Sequence, residues 1–273
     1  MIDTHIHFWH FNPVRDSWMD GSMGRIRRDF LPADLEPIFA VHKLMGCVAV
    51  QASQSNTETQ FLLELASKNP MIRGVVGWID LKDPAIDEKL STFSGLHILK
   101  GFRHIAMAEP DHFLLQDDII RGIKALGAHN YTFDILLHSH QLQAAVDLVA
   151  RLPGQRFVIN HCGKPNIKSN KLQQWKRDIQ TLARHQHVYC KLSGLMTETA
   201  RNNWNEQEIH TCLDVVFECF GTARVMYGSD WPVMLLAGNY SQWFELMLNY
   251  TAKFSLAERQ RIFSSNAVDF YQI

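Results

Sequence analysis

The amino-acid sequence predicts a single-domain, eight-stranded β/α barrel that spans residues 1–273. Eight short apolar segments resemble strands, and nearly all of them are separated by segments with helical patterning. Such alternation is typical of a parallel sheet with right-handed crossovers. The length is close to the roughly 250 residues of a typical closed barrel. No linker, low-complexity stretch or change in composition divides the chain, so one barrel is favoured over an open sheet.

The predicted strands are short and mostly apolar, which is typical of strands that are buried on both faces. The first begins at Ile2, and the others span residues 46–51, 74–79, 99–104, 133–138, 156–161, 188–192 and 224–228. A long polar and aromatic loop over residues 9–30 follows the first strand. Loops of this length are usually functional or disordered, and the tryptophans of this one favour an ordered lid.

Helix start signals lie between the strands. Pro32 begins the first helix, Asn56 is the expected N-cap of the second, and Asp83 before a proline begins the third. Further helices are expected over residues 117–126, 141–152, 171–185 and 205–220, with two more after the last strand. The last begins at Ser255, which forms a capping box with Glu258.

Composition excludes several classes of protein. The net charge of −1 leaves no basic footprint for nucleic acid or for an acidic membrane surface. No apolar run has the length of a membrane span, and the start of the chain leaves no room for a signal peptide. The five cysteines are scattered, which predicts reduced thiols and a cytoplasmic protein. Neither a dinucleotide-binding glycine motif nor a phosphate-binding loop is present.

The first ten residues contain the most informative local motif, His5-Ile6-His7. Residues two apart in a strand share a face, so both imidazoles point the same way. Two such imidazoles can share a metal ion or donate hydrogen bonds to one substrate oxygen. The chain has 14 histidines, so a chance pair is the alternative for this motif taken alone.

Polar side chains also follow several other predicted strands. They are Gln51, Arg103, His104, His138, His161 and Asp230. In a β/α barrel the active site lies at the carboxyl ends of the strands, so these groups would converge with His5 and His7 at one mouth. Buried structural histidines and a helix-capping role for Asp230 are the alternatives for single residues. A structural role would not confine the whole set to one end.

Longer motifs make the sequence resemble the amidohydrolase superfamily, and within it the branch of sugar-lactone hydrolases related to L-fuconolactonase. The resemblance covers essentially the whole chain and rests on Asp3-Thr-His-Ile-His-Phe-Trp9, Val50-Gln-Ala-Ser-Gln-Ser55, Gly74-Val-Val-Gly-Trp-Ile-Asp-Leu81, Lys100-Gly-Phe-Arg-His104, His161-Cys-Gly-Lys-Pro165, Lys191-Leu-Ser-Gly-Leu195, Tyr227-Gly-Ser-Asp-Trp-Pro-Val233 and Asn266-Ala-Val-Asp-Phe-Tyr271. It implies a β/α barrel hydrolase that opens a sugar lactone, a small-molecule substrate.

The resemblance also implies roles for individual residues. Asp230 activates the hydrolytic water, and His161 lines the reacting centre. The first-strand pair, His5 and His7, binds a metal or polarises the carbonyl, and Arg103 contacts substrate. Loop and strand-end residues are expected to read the hydroxyls of the sugar, namely Trp9, Gln51, His104, His138 and Trp231.

The metal content expected from the resemblance is at most one divalent ion, with zinc as the first choice. Binuclear relatives carry a carboxylated lysine near the end of strand four, where Lys100 stands too early. Strand seven offers Lys191 and Ser193 where those relatives carry a histidine. A single ion would be held by His5, His7 and Asp230, with His161 close by, and metal-independent hydrolysis is the alternative.

A lactone is an activated ester, so Asp230 as base with imidazole donors to the oxyanion would suffice for hydrolysis.

Two other functions stay open. The first alternative is a zinc-dependent non-oxidative decarboxylase of an aromatic acid on the same barrel. The second is a barrel that binds a small ligand without catalysis. The sequence does not indicate the particular sugar or the oligomeric state.

Overall fold

The structure is a computed structural model that describes residues 1–169, 171–199 and 204–273. Eight parallel strands form one sheet and follow one another in chain order. They span Ile2–Ile6 (β1), Gly46–Val50 (β2), Ile72–Gly77 (β3), Leu99–Ile105 (β4), Thr132–Leu136 (β5), Phe157–Ile159 (β6), Val188–Leu192 (β7) and Val225–Tyr227 (β8). The predicted barrel is confirmed, and the predicted strand boundaries agree to within about two residues, the usual precision of such assignments.

Helices separate the strands and form the outer layer. They span Pro32–His42 (α1), Asn56–Lys68 (α2), Ile86–Ser91 (α3), Asp117–Ala128 (α4), Leu142–Arg151 (α5), Gln173–Ala183 (α6), Leu195–Glu198 (α7), Glu206–Phe220 (α8), Tyr240–Thr251 (α9), Leu256–Gln260 (α10) and Asn266–Tyr271 (α11). None of the described helices has the length and apolar character that crossing a membrane requires.

Two of the predicted helix N-caps were wrong, one by a single residue and the other by two. The N-cap of α2 is Ser55, not Asn56, because the Ser55 hydroxyl accepts the backbone N–H three residues on. The carboxylate of Asp83 accepts the N–H of Ala85 at 2.8 Å, so the chain forms a turn there and α3 begins after it. The capping box that begins at Ser255 is confirmed.

The chain after β8 closes the barrel against β1. Ile6 pairs in parallel with Trp231. The N–H of Asp230 donates to the His5 carbonyl at 2.9 Å, and the N–H of His7 donates to the Trp231 carbonyl at 2.8 Å. Strand one and the segment that carries Asp230 are therefore neighbours, as the closed barrel predicts.

The lower part of the barrel interior is apolar and is plugged by the C-terminal helix. Its buried side chains are Val48, Val50, Val76, Val158, Met226, Phe270 and Tyr271. The Lys100 ammonium donates to the Gln272 carbonyl at 2.7 Å, which holds the end of the chain under the start of β4. Polar groups are thus left to the upper part of the interior, at the carboxyl ends of the strands.

Hydrogen bonds tie the loop over residues 9–30 to the barrel at its base and across its top. Trp9 and Phe30 pair as an antiparallel bridge at its base, with both N–H···O distances near 3.0 Å. A 3₁₀ segment over Gly21–Ile26 crosses the top, where Arg25 donates to the Leu235 carbonyl at 3.2 Å. The loop therefore forms one wall above the carboxyl ends of the strands.

Candidate active site

The carboxylate of Asp230 lies at the centre of three imidazoles. Its Oδ1 is 3.3 Å from Nε2 of His7, 3.8 Å from Nε2 of His5 and 3.8 Å from Nε2 of His161. All four residues are buried, with at most 5% of their surface exposed. The structure thus brings together the four side chains that the sequence marks as catalytic.

Backbone geometry aims Asp230 into the barrel. Its φ is +64°, a left-handed value that a residue with a Cβ adopts only when its surroundings hold it there. The buried carboxylate of Asp3 supplies part of that support. It accepts the N–H groups of His5 and Ser229 at 3.0 and 2.9 Å, and the hydroxyl of Tyr240 at 2.7 Å. One side chain therefore ties β1 to the segment that carries Asp230.

A left-handed turn places His161. The predicted strand over residues 156–161 ends early, because His161, Cys162, Gly163 and Lys164 have φ values of 54°, 52°, 69° and 47°. This turn directs the imidazole back over the barrel. Nδ1 of His161 contacts the hydroxyl of Ser193 at 2.9 Å, and Nε2 faces Asp230.

His7 lies between two hydrogen-bond acceptors. Its Nδ1 is 2.7 Å from the Val50 carbonyl oxygen, and its Nε2 is 3.3 Å from Asp230. A neutral imidazole has one N–H, which the shorter contact takes, so Nε2 presents a lone pair to a carboxylate. A metal ion or a second ring proton at Nε2 would satisfy both groups.

His5 has the opposite surroundings, because a cationic group faces each of its ring nitrogens. Nε2 is 3.1 Å from a terminal nitrogen of Arg103, and Nδ1 is 3.4 Å from the ammonium of Lys191. Burial and the positive charge of Lys191 hold the pKa of His5 well below its usual 6.5. His5 is therefore a neutral imidazole at physiological pH.

The electrostatics keep the carboxylate ionised and the imidazoles neutral. Burial by itself would raise the pKa of Asp230, but the charges of His161 and His7 when these rings are protonated, together with the charge of Lys164, outweigh it and leave the pKa of Asp230 below 3.8. Burial lowers the pKa of His161 to about 3. At neutral pH the site therefore holds a carboxylate base beside neutral imidazoles.

The donor set fits one divalent ion. Among the described residues, ligand atoms of His5, His161 and Asp230 lie within 4.8 Å of one another, and His7 contacts the same carboxylate. Imidazole nitrogens with one carboxylate oxygen are ligands that zinc accepts. The partners at Nδ1 of His7 and of His161, a carbonyl and the Ser193 hydroxyl, resemble the outer-shell groups that orient metal-bound histidines.

A cleft of about 390 Å³ opens above these side chains. It is lined by His7, Trp9, Trp18, Ala52, Gln54, Arg103, Ile105, Met107, Ala108, Leu136, His161, Lys164, Thr197, Asp230 and Val233. Of the six predicted substrate contacts, the structure places Arg103 and Trp9 on this wall. The cleft is large enough for a monosaccharide-sized ligand, and most of its lining is apolar.

The other four predicted substrate contacts lie outside that lining. Gln51 is buried beneath it and donates to the Arg103 carbonyl at 3.1 Å. His104 is next to Arg103 in β4 and so faces the other side of the sheet, where it contacts Glu109 at 3.1 Å. Trp231 is 2% exposed and packs against aromatic side chains behind the mouth. The half-buried His138 begins the turn before α5.

Several residues of the site are absent from the sequence-based set. Lys164 and Gln54 line the cleft, and Lys164 forms an ion pair with Glu198. Both residues lie inside motifs on which the family resemblance rests, and those motifs could have indicated them as site residues. Asp134 and Lys191 form a buried ion pair at 2.7 Å below the cleft. The sequence indicated these two residues only in that each is a charged residue inside a largely apolar strand.

Comparison with known proteins agrees with this geometry. The amidohydrolase family model matches residues 2–273. The chain belongs to the amidohydrolase family. It is 36% identical to an L-fucono-1,5-lactonase from Burkholderia multivorans, with 100% of this chain and 96% of that protein covered. A crystal structure of a Burkholderia multivorans amidohydrolase with bound zinc matches with a TM-score of 0.96 and 37% identity, over 100% of this chain and 99% of that one.

A more distant solved structure bears on the decarboxylase alternative. The dihydroxybenzoic acid decarboxylase from Polaromonas sp. JS666, solved with bound manganese, has a TM-score of 0.66 and 14% identity. It covers 99% of this chain, and this chain covers 96% of it. That likeness concerns the fold alone.

Proposed function

We propose that this amidohydrolase opens a sugar lactone to the corresponding sugar acid. The observation that carries the proposal is the buried Asp230 carboxylate at the floor of the cleft, in contact with three imidazoles. Two curated relatives that match the whole chain, at 36% and 33% identity, are L-fucono-1,5-lactonases. Lactone hydrolysis needs one base for water and donors for the developing oxyanion, and the site provides both.

In the first step Asp230 takes a proton from a water molecule as the water oxygen bonds to the lactone carbonyl carbon. The carbonyl oxygen becomes an oxyanion. Arg103 is the donor that we assign to it, because this buried guanidinium lines the cleft beside His7, His161 and Asp230. Its two terminal nitrogens contact His5 and the Gln51 carbonyl, which fixes the guanidinium plane.

In the second step the tetrahedral centre collapses and the ring C–O bond breaks. The leaving alkoxide receives the proton that Asp230 had taken, so the carboxylate is restored and the product is a hydroxy acid. A divalent ion held by His5, His7 and Asp230, with His161 close by, would supply Lewis-acid polarisation of the carbonyl and a lower pKa for water. Asp230 carries the proton in both steps, with or without the ion.

The two alternatives have less support. The decarboxylase likeness is confined to the fold at 14% identity, against 36% for the lactonase over the whole chain. A non-catalytic barrel would not need an ionised carboxylate beside three buried imidazoles. We further propose a cytoplasmic location, since the five cysteines are free. Cell fractionation would test the location, and recovery with secreted proteins would contradict it.

A panel of 1,4- and 1,5-aldonolactones tests the function. We expect at least one lactone to be opened with kcat of about 1 s⁻¹ or more, the usual lower range for enzymes. Acid release is followed with a pH indicator, and the spontaneous rate is subtracted for each lactone. Asp230→Asn protein on the same panel is the control for contaminating activity. Rates equal to the spontaneous rates throughout would contradict the proposal, and binding without turnover would revive the non-catalytic alternative.

Metal content measured on the same sample tests the second part of the proposal. We expect at most one divalent ion for each chain, because Lys100 stands too early in β4 to serve as a carboxylated ligand and β7 carries no histidine. Elemental analysis gives the stoichiometry, and assays after chelation show whether lactone hydrolysis depends on the ion. Anomalous scattering from two bridged metals would show that the single-ion assignment is wrong.

A further inference from the structure

Five buried side chains, four from strands and one from the turn after β6, form a closed ring of polar contacts at the floor of the cleft. They are His5, Arg103, Asp134, Asn160 and Lys191, and we call them the polar ring. Lys191 contacts Nδ1 of His5 at 3.4 Å and the Asp134 carboxylate at 2.7 Å. Asn160 donates to Asp134 at 3.0 Å and accepts from Arg103 at 3.3 Å. Arg103 closes the ring, because one of its terminal nitrogens contacts Nε2 of His5 at 3.1 Å.

The C-terminal helix supports the polar ring from below. The hydroxyl of Tyr271 lies 2.9 and 3.1 Å from the two carboxylate oxygens of Asp134. The ammonium of Lys191 lies 5.3 Å from the centroid of the Tyr271 ring. The carboxylate thus accepts from Lys191, Asn160 and Tyr271 at once, and it has little freedom to move.

Neither Lys191 nor Asp134 lines the cleft, and both are 0% exposed. An apolar pair of similar volume would fill a barrel layer at least as well, since a buried ion pair is often no more stabilising than well-packed apolar side chains. The layer below is in fact apolar. The charged pair is therefore better explained by what it touches, because Lys191 contacts His5 and Asp134 reaches Arg103 through Asn160.

We propose that Lys191 and Asp134 are positioning residues for lactone hydrolysis. They hold the side chains of His5 and Arg103 in the orientation that the reaction needs beside Asp230. This inference rests on the proposed function. The polar ring sets the orientation of the His5 imidazole and of the Arg103 guanidinium, the two groups of the ring that reach the reacting centre. Its effect belongs to the transition state, where the oxyanion develops, rather than to substrate binding.

One single variant and one double variant test the proposal in assays of lactone hydrolysis. Tyr271→Phe removes one hydroxyl bond to Asp134, and Lys191→Met combined with Asp134→Asn removes both charges together, so that neither is left unpaired. We expect kcat to fall about 3-fold to 10-fold in the first and about 10-fold to 100-fold in the second, with KM within about 3-fold, as for groups that act in the transition state. Tyr250→Phe is the matched control, because its hydroxyl donates to Asp214 at 2.6 Å outside the cleft lining.

A readout that needs no substrate separates this inference from the proposed function. ¹⁵N spectra of labelled histidine report the ring nitrogens, and the His5 signals are assigned by their absence in His5→Gln. We expect the His5 signals to shift in the charge-free double variant and to stay unchanged in Tyr250→Phe. If no lactone is hydrolysed by the wild type, a shift still supports the positioning role. Unchanged His5 signals, or kcat within 2-fold of wild type in both test variants, would overturn it.

Discussion

Replacing Asp230 with asparagine is expected to lower kcat for the best lactone by at least about 10²-fold, the usual scale for losing a general base. Asparagine keeps the shape of the side chain and its acceptor oxygen but cannot take a proton from water. The fold should survive, because the left-handed backbone at this position is one that asparagine tolerates. Circular dichroism and thermal unfolding would confirm that the variant is folded.

The pH dependence of lactone hydrolysis, compared between the wild type and Asp230→Asn, identifies the base. The pKa of Asp230 lies below 3.8, so the active carboxylate form persists as the pH falls through the range in which an ordinary aspartate becomes protonated. In the folded protein a lowered carboxyl pKa also stabilises the fold above the unfolded value and ceases to do so as the pH falls through the folded value. The acid limb of the wild-type pH–rate profile should be missing from the variant.

Asp29→Asn is the matched control for this prediction. Asp29 contacts His10 at 2.7 Å, so the substitution removes another carboxylate from an Asp–His pair. That pair is exposed and lies outside the cleft lining, and kcat should stay at the wild-type value. If Asp230→Asn hydrolysed the best lactone within a few-fold of wild type, Asp230 would not be the base. His161 would then be the leading candidate.

The second large effect is expected from Gly194→Ala, through the position of His161. Gly194 has a φ of +67°, and a Cβ added there would lie 2.6 Å from Nδ1 of His161 and 2.7 Å from its Cγ. The imidazole must therefore move away, which breaks its 2.9 Å contact with the Ser193 hydroxyl. A displacement of about 1 Å at a reacting centre can lower kcat about 10²-fold. The left-handed backbone adds a stability loss of about 1–2 kcal/mol.

Gly221→Ala separates the displacement of His161 from the backbone cost. Gly221 has a φ of +63° and a ψ of −166°, a backbone region that is even more strictly confined to glycine, but no described atom lies within 4 Å of the position of its added Cβ. We expect Gly221→Ala to lose stability in urea unfolding while keeping wild-type kcat per folded molecule. Equal losses of kcat in the two variants would show that the clash with His161 has no part in the effect.

Much of the site follows from the sequence, because chain order in a β/α barrel determines position. Groups at the carboxyl ends of parallel strands must share one mouth. Strands one and eight must be neighbours once the barrel closes, so Asp230 had to lie near His5 and His7. The structure confirms the second point, with Asp230 donating its N–H to the His5 carbonyl. The first point holds for only part of the set, because His104 and Trp231 lie outside the cleft lining.

Other features were decided only by the tertiary structure. Arg103 and His104 are adjacent residues at the end of a strand, and the sequence predicts both as substrate contacts. Only Arg103 faces the cleft, since neighbouring strand residues point to opposite sides. Strand register decides which of them does, and register depends on pairing with both neighbours. The left-handed turn at His161 likewise depends on contacts from elsewhere, such as the Ser193 hydroxyl.

The sequence by itself determined the alternating elements, the closed barrel and the charged or imidazole groups at its mouth. These depend on local patterning and on connection rules that hold for any chain of this kind. The tertiary structure alone decided that Lys191 and Asp134 pair inside the barrel at 2.7 Å. They lie 57 residues apart on β7 and β5, and no local pattern specifies which buried charge a folded chain will bring to another.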